Sequence, residues 1–235
     1  MNELQLLVMS AAFLGFIHTL LGPDHYLPFI VLSKARNWST TKTLWITFVS
    51  GVGHVGGSVI LGIIGIALGI GLHRLEYIES ARGNLVGWLL IVFGFLYTLY
   101  GIRKYLKNGG HFHLPHFIMP KKVREMHNFS SHNKEQQKED VTKLTPWILF
   151  LIFVFGPCEV LIPLLIFPAA EFNAFGIALV SIVFGITTIS TMILSVYIGN
   201  KGTSLIKLKN GEKFFHLIAG LVILISGVGM QFMGW

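Results

Sequence analysis

The chain has 235 residues, 53% of them hydrophobic and 12% charged, with a mean hydropathy of +0.67 and a formal net charge of +7. A soluble domain of this size carries about 25% charged residues, so the composition excludes most soluble enzymes and any disordered or fibrous class. A lone cysteine, Cys158, excludes a disulfide framework and an intramolecular dithiol relay.

Apolar runs long enough to cross a bilayer, about 20 residues each, predict six spans in one all-α transmembrane domain covering residues 1–235. The first is Leu4–Leu32. It has no basic stretch before it and is too long for a signal-peptide core, so it reads as a retained span. Leu44–Leu72 and Leu85–Leu106 complete a first group of three, residues 1–106. The first two spans exceed a bilayer's need, which implies tilt, a break or a protruding end. Residues 107–145 are polar and hold His111, His113, His116, His127 and His132. Short His-rich tracts can bind metal as mobile ligands; the other reading is a solvated linker whose histidines are incidental. Trp147–Phe167, Phe175–Ile198 and Phe214–Met233 form a second group, residues 146–235.

With six spans, the segments following the first, third and fifth share one side. They carry three, nine and four of the 18 lysines and arginines; the opposite side has only Arg74 and Arg82. Cationic loops face the cytoplasm. Both termini are therefore expected outside the cytoplasm and residues 107–145 inside it, in a plasma (inner) membrane. The net charge belongs to these loops, and no nucleic-acid partner is expected.

The two groups repeat each other. Gly22-Pro23-Asp24-His25 matches Gly156-Pro157-Cys158-Glu159 at an offset of 134, which also aligns Gly51 with Gly185 and His54 with Thr188. At 133, Gly87, Gly94 and Gly101 fall on Gly220, Gly227 and Gly234. Three spans per group is odd, so the groups insert with opposite orientation. Inverted repeats with interrupted helices at matching places are a transporter signature. Proline cannot donate to the carbonyl four residues back. Pro23 and Pro157 therefore free the carbonyls of Thr19 and Phe153, and Pro28 and Pro163 those of Asp24 and Glu159. Such carbonyls are tolerated at membrane depth only if buried in protein or lining a watered cavity.

His18, Asp24, His25 and His54 lie in the first two spans, and Cys158 and Glu159 in the fourth. Ionisable groups at this depth usually mark a pathway or relay. In an unbroken helix His18 and His25 share a face and Asp24 points away; the break at Gly22-Pro23 is what could gather all three. Imidazole with carboxylate suits nickel, cobalt, zinc, manganese or iron. Cys158 and Glu159 would complete such a site or take a coupling proton. Thr187, Thr188, Ser190 and Thr191 could offer oxygens to an ion or bond back to their own helix. No Lys or Arg is expected near either break, which weighs against an anion substrate.

His18 to His25, His-Thr-Leu-Leu-Gly-Pro-Asp-His, resembles the His-x4-Asp-His signature of nickel/cobalt permeases with one extra residue before Asp24, and Gly53-His54 resembles the Gly-His element of their next helix. Over essentially its whole length the chain resembles the six-helix UreH/NicO-type membrane proteins, grouped with TauE/SafE-type and LysE-like exporters. Residues 156–165, Gly-Pro-Cys-Glu-Val-Leu-Ile-Pro-Leu-Leu, carry that likeness in the second half. The resemblance implies transport of a divalent metal, nickel or cobalt first, with ligand roles on His18, Asp24, His25 and His54. The expected function is a permease rather than an enzyme, without a prosthetic group, whose partners are the metal ion and the bilayer; self-association stays open. The alternatives are an exporter of a small anion such as sulfite, and a membrane metalloenzyme built on the same residues. A Walker A motif and a His-Glu-x-x-His segment are both lacking.

Overall fold

The computed structural model describes residues 3–107, 146–158, 160–170, 174–204 and 211–233. The histidines of the 107–145 stretch, Glu159 and Gly234 lie outside the described residues. Every described element is helical: α1 Glu3–Leu21, a 3-10 turn Pro23–His25, α2 Leu27–Ala35, α3 Thr40–Ala67, α4 Leu72–Lys107, α5 Pro146–Phe155, α6 Leu161–Ala170, α7 Ala174–Ser204 and α8 Gly211–Phe232. Among the described residues five helices, α1, α3, α4, α7 and α8, have the length and composition to cross a membrane, which makes this an all-α, multi-pass membrane protein. Large apolar side chains such as Leu6, Ile60, Leu96 and Ile186 stand mostly exposed on the outside, where lipid would cover them.

Two of the six predicted spans are interrupted. The first is α1 and α2 joined by the 3-10 turn at Pro23, and the fourth is α5 and α6 joined by Gly156-Pro157-Cys158 and the residues that follow. The third span needs correcting. Its helix begins at Leu72, not Leu85, so Glu79 and Arg82 belong to α4 rather than to a loop. Hydropathy ends a span at the first charges, but a carboxylate and a guanidinium three residues apart meet on one helix face and neutralise each other.

Local chemistry sets the helix ends. Ser39 caps α3 by accepting the Lys42 N–H at 3.2 Å. Gly69, at φ 65°, closes α3: its N–H reaches the Ile66 carbonyl and that of Ile70 the Gly65 carbonyl. Asn37, at φ 51°, ends α2 the same way, with Trp38 N–H on Ser33 O.

Between apolar helices in lipid, close packing replaces the hydrophobic drive available in water. The tightest seam is α4 against α8, antiparallel. Gly94 lies on the backbone of Leu224, Gly101 on that of Leu217, Gly220 on that of Thr98 and Gly227 on that of Ile91. Glycines recur every seven residues on each helix, each facing a larger residue on the other. α7 packs on both α1 and α3, with Gly51 against Ile189 and Gly185 against Val55. α2 lies on α8 and α7, and α6 on α7, α3 and α4. A core of Phe29, Leu32, Leu149, Phe153, Met192 and Ile223 fills the centre.

A Cβ on Gly94 would collide with the Leu224 backbone nitrogen, and backbone cannot step aside. Gly94→Ala is therefore expected to destabilise the protein by about 1–3 kcal/mol. Gly56→Ala, with nothing within 4 Å of the new methyl, should be near neutral. Thermal unfolding of the two variants in detergent checks the difference.

Candidate metal centre

The break at Gly22-Pro23 places an imidazole at the core. Gly22 N–H still reaches the His18 carbonyl at 3.0 Å, and Pro23 starts a single 3-10 turn that carries His25 inward. Gly22 has no Cβ because the His25 ring lies against it; a methyl there would stand 2.5 Å from Nδ1. The His25 Nδ1–H donates to the Gly22 carbonyl at 3.1 Å and faces Asp24 Oδ1 at 3.2 Å. Both partners are acceptors, so Nδ1 carries a proton, and in the neutral ring the lone pair is then on Nε2.

The second break positions His54, from α3, in a parallel way. A Cβ on Gly156 would lie 3.0 Å from His54 Nδ1. The His54 Nδ1–H donates to the Phe153 carbonyl at 3.3 Å. This is the carbonyl that Pro157 leaves without its helical donor. It shares this acceptor with the Gly156 N–H at 3.0 Å.

His18, His25 and His54 then converge. Ring centroids are 4.8 Å apart for His18 and His25 and 5.1 Å for His25 and His54, both pairs edge-on. One ligand nitrogen from each lies within 4.8 Å of the other two. The Nε2 atoms of all three are buried without a hydrogen-bond partner. Buried polar atoms are otherwise nearly always paired. Three nitrogens at this spacing always share a point no more than about 2.8 Å from any of them, so a shift under about 1 Å per ring would reach metal–imidazole bonds of about 2.0–2.1 Å. Asp24 stands behind His25 rather than among the grouped nitrogens, as carboxylates do when they orient a ligand histidine.

Two cavities adjoin the cluster. One of about 20 Å³, between Asp24, His54, Leu90, Phe153 and Pro157, has room for a water-sized occupant. The other, about 480 Å³, reaches from His18, Asp24 and His25 to Ser80, Asn84 and Gln231 at the ends where α4 begins and α8 finishes. Among the described residues neither is lined by Lys or Arg.

The other sequence candidates lie elsewhere. Cys158 is wholly buried with Ala11, Val55, Leu161 and Phe184, and is not among the grouped ligand atoms. Pro28 and Pro163 sit inside or beside the short helices α2 and α6. Thr187 and Thr191 bond back to the carbonyls of Val183 and Thr187. Thr188, the repeat partner of His54, is buried with its hydroxyl unpaired.

One group was invisible in the sequence, and it corrects the expectation that no cation approaches a break. In a continuous helix the Cys158 N–H would bond the Val154 carbonyl. Here the two are separated and an ion pair, its carboxylate buried and its guanidinium half-buried, takes up both. Glu79, 1% exposed, accepts the Cys158 N–H at 3.1 Å through Oε2, and Ser58 Oγ accepts it at 3.2 Å. Arg82 pairs with Glu79 through Nη1, and its Nη2 donates to the carbonyls of Val154 at 3.1 Å and Gly156 at 3.2 Å. Carboxylate replaces the missing acceptor and guanidinium the missing donor. The only sequence signal is Glu-x-x-Arg running straight into an apolar segment.

Comparison with protein-family models, curated proteins and solved structures gives no match for this chain.

Removing one partner of a buried pair leaves an uncompensated charge. Arg82→Met should cost about 3–5 kcal/mol, while the double change Glu79→Leu with Arg82→Met should recover part of that loss. A double variant as unstable as the single, by thermal unfolding, would contradict it.

Proposed function

We propose that this protein is a permease for a divalent transition-metal ion, nickel or cobalt first, and that His18, His25 and His54 bind the ion in transit. The observation that carries this reading is the convergence of one ligand nitrogen from each of three histidines, all of whose Nε2 atoms are buried and unpartnered. Neutral imidazole is a borderline ligand that suits nickel, cobalt, zinc and copper. Asp24 orients His25 and supplies a compensating negative charge. The larger cavity is the route in and out, with oxygen donors at Ser80, Asn84 and Gln231 to take over from water. A cavity lined by one carboxylate and imidazoles, with Arg82 engaged by Glu79 and two carbonyls, favours a cation over sulfite or another small anion.

The architecture we propose is six spans in a 3+3 inverted repeat, counting α1 with α2 and α5 with α6 as one interrupted span each. The packing supports it. A shift of 133 residues exchanges the Gly94–Leu224 contact with the Ile91–Gly227 contact, and Gly87–Gln231 with Thr98–Gly220. A shift of 134 exchanges Gly51–Ile189 with Val55–Gly185. In this reading the cationic 107–145 loop is cytoplasmic, the termini are outside, and the larger cavity opens away from the cytoplasm.

Purified protein in proteoliposomes should move Co²⁺ or Ni²⁺, and His25→Ala or His54→Ala should abolish the flux. Asp24→Asn should weaken metal binding about 10–100-fold, the usual cost of losing a partner behind a ligand. Metal flux unchanged in the two histidine variants, or sulfite flux in its place, would refute the assignment.

Glu159 and the loop histidines enter as accessory groups, the first for proton coupling and the others for capture of the ion. Replacing His111, His113, His116, His127 and His132 together should raise the metal concentration needed for half-maximal flux and leave the maximal rate intact. Rates measured over a Co²⁺ series check this.

A further inference from the structure

We infer that Glu79 and Arg82 are positioning residues for His54: by holding the second break open they keep the Phe153 carbonyl on His54 Nδ1 and so set which nitrogen faces the metal. The inference rests on the proposed metal site for its purpose, but its geometry is independent of any ion. His54 is the one member of the cluster outside the first interrupted span, and Phe153 O is the partner that fixes its proton on Nδ1. Pro157 leaves that carbonyl without a donor from its own helix, and the path of the chain after Phe153 sets where it points. Two carbonyls that follow it in the chain, Val154 O and Gly156 O, are both held by Arg82 Nη2, and the first N–H after Pro157, that of Cys158, is held by Glu79 and Ser58. Arg82 Nη1 also lies 3.4 Å from Ser58 Oγ, four residues beyond His54 on α3. The pair therefore ties three elements, α3, α4 and the end of α5, at the point where the imidazole is aimed. Glu79 and Arg82 touch no grouped ligand nitrogen and line neither cavity beside the cluster, so they act through His54 and not on the ion. At the first break no glutamate–arginine pair is found among the described residues; His25 there is held by its own Gly22 carbonyl and Asp24.

The test uses full-length protein in detergent, with two variants chosen to fold. Arg82→Lys keeps the charge beside Glu79, but one ammonium cannot hold the carbonyls of Val154 and Gly156 as the guanidinium does. Pro157→Ala leaves the ion pair intact and supplies an N–H that competes for Phe153 O. Two quantities are read: Co²⁺ affinity from its visible absorption, and the ring 15N shifts of His54 in metal-free protein, which report its tautomer. Both variants are expected to bind Co²⁺ about 10–100-fold more weakly. Both should also convert part of His54 from the Nδ1–H to the Nε2–H form. Parent-like affinity and tautomer in both variants would overturn the inference. An effect in Pro157→Ala alone would overturn the role of the ion pair. If the parent protein bound no Co²⁺, the metal reading would fall, while the 15N shifts would still decide for or against the positioning role.

Discussion

In a bilayer a backbone N–H or C=O that leaves its helix has no water to turn to, and each unsatisfied group costs several kcal/mol. The structure is organised around two places where this cost arises. At Gly22-Pro23 the released groups are taken up close by, in a 3-10 turn, the His25 ring and the Tyr26 hydroxyl on Leu20 O. At Gly156-Pro157 they are taken up from a distance, by His54 of α3 and by Glu79 and Arg82 of α4. Satisfying the backbone and building the site are thus one process. Two of the side chains that repair the breaks, His25 and His54, are histidines of the cluster itself.

This explains why the two interrupted spans are unequal although their motifs align. The first contributes two imidazoles to the centre. The second contributes a carbonyl, and its cysteine faces an apolar pocket. The division suits a site in which one half binds and the other holds a ligand in aim.

Much of the fold was legible because membrane helices announce themselves by length and hydropathy, and the Gly-Pro pairs announced both interruptions. The gathering of His18, His25 and His54 was legible too, since a glycine-proline break between two histidines has few other uses. The residues behind the site were not. Glu79 and Arg82 look like loop residues to any measure that sums charge along the chain. Only the three-dimensional path of α5 reveals that they meet a broken helix about 75 residues further on, as the contacts with Val154 and Gly156 show. Asp24 illustrates the same gap on a smaller scale. The sequence places it beside the histidines, but which side of the His25 ring it occupies depends on the 3-10 turn.

The α4–α8 seam has a mechanical consequence. Its glycines sit in a fixed register seven residues apart, and each receives a bulkier residue from across the interface. At 1.5 Å per residue, the next equivalent register is about 10 Å away along the axis. Any smaller slip drives side chains onto facing backbone. The two helices are therefore locked against sliding past one another, and with that register fixed the pair has the build of a single strut, with α2 packed on α8 and α6 on α4.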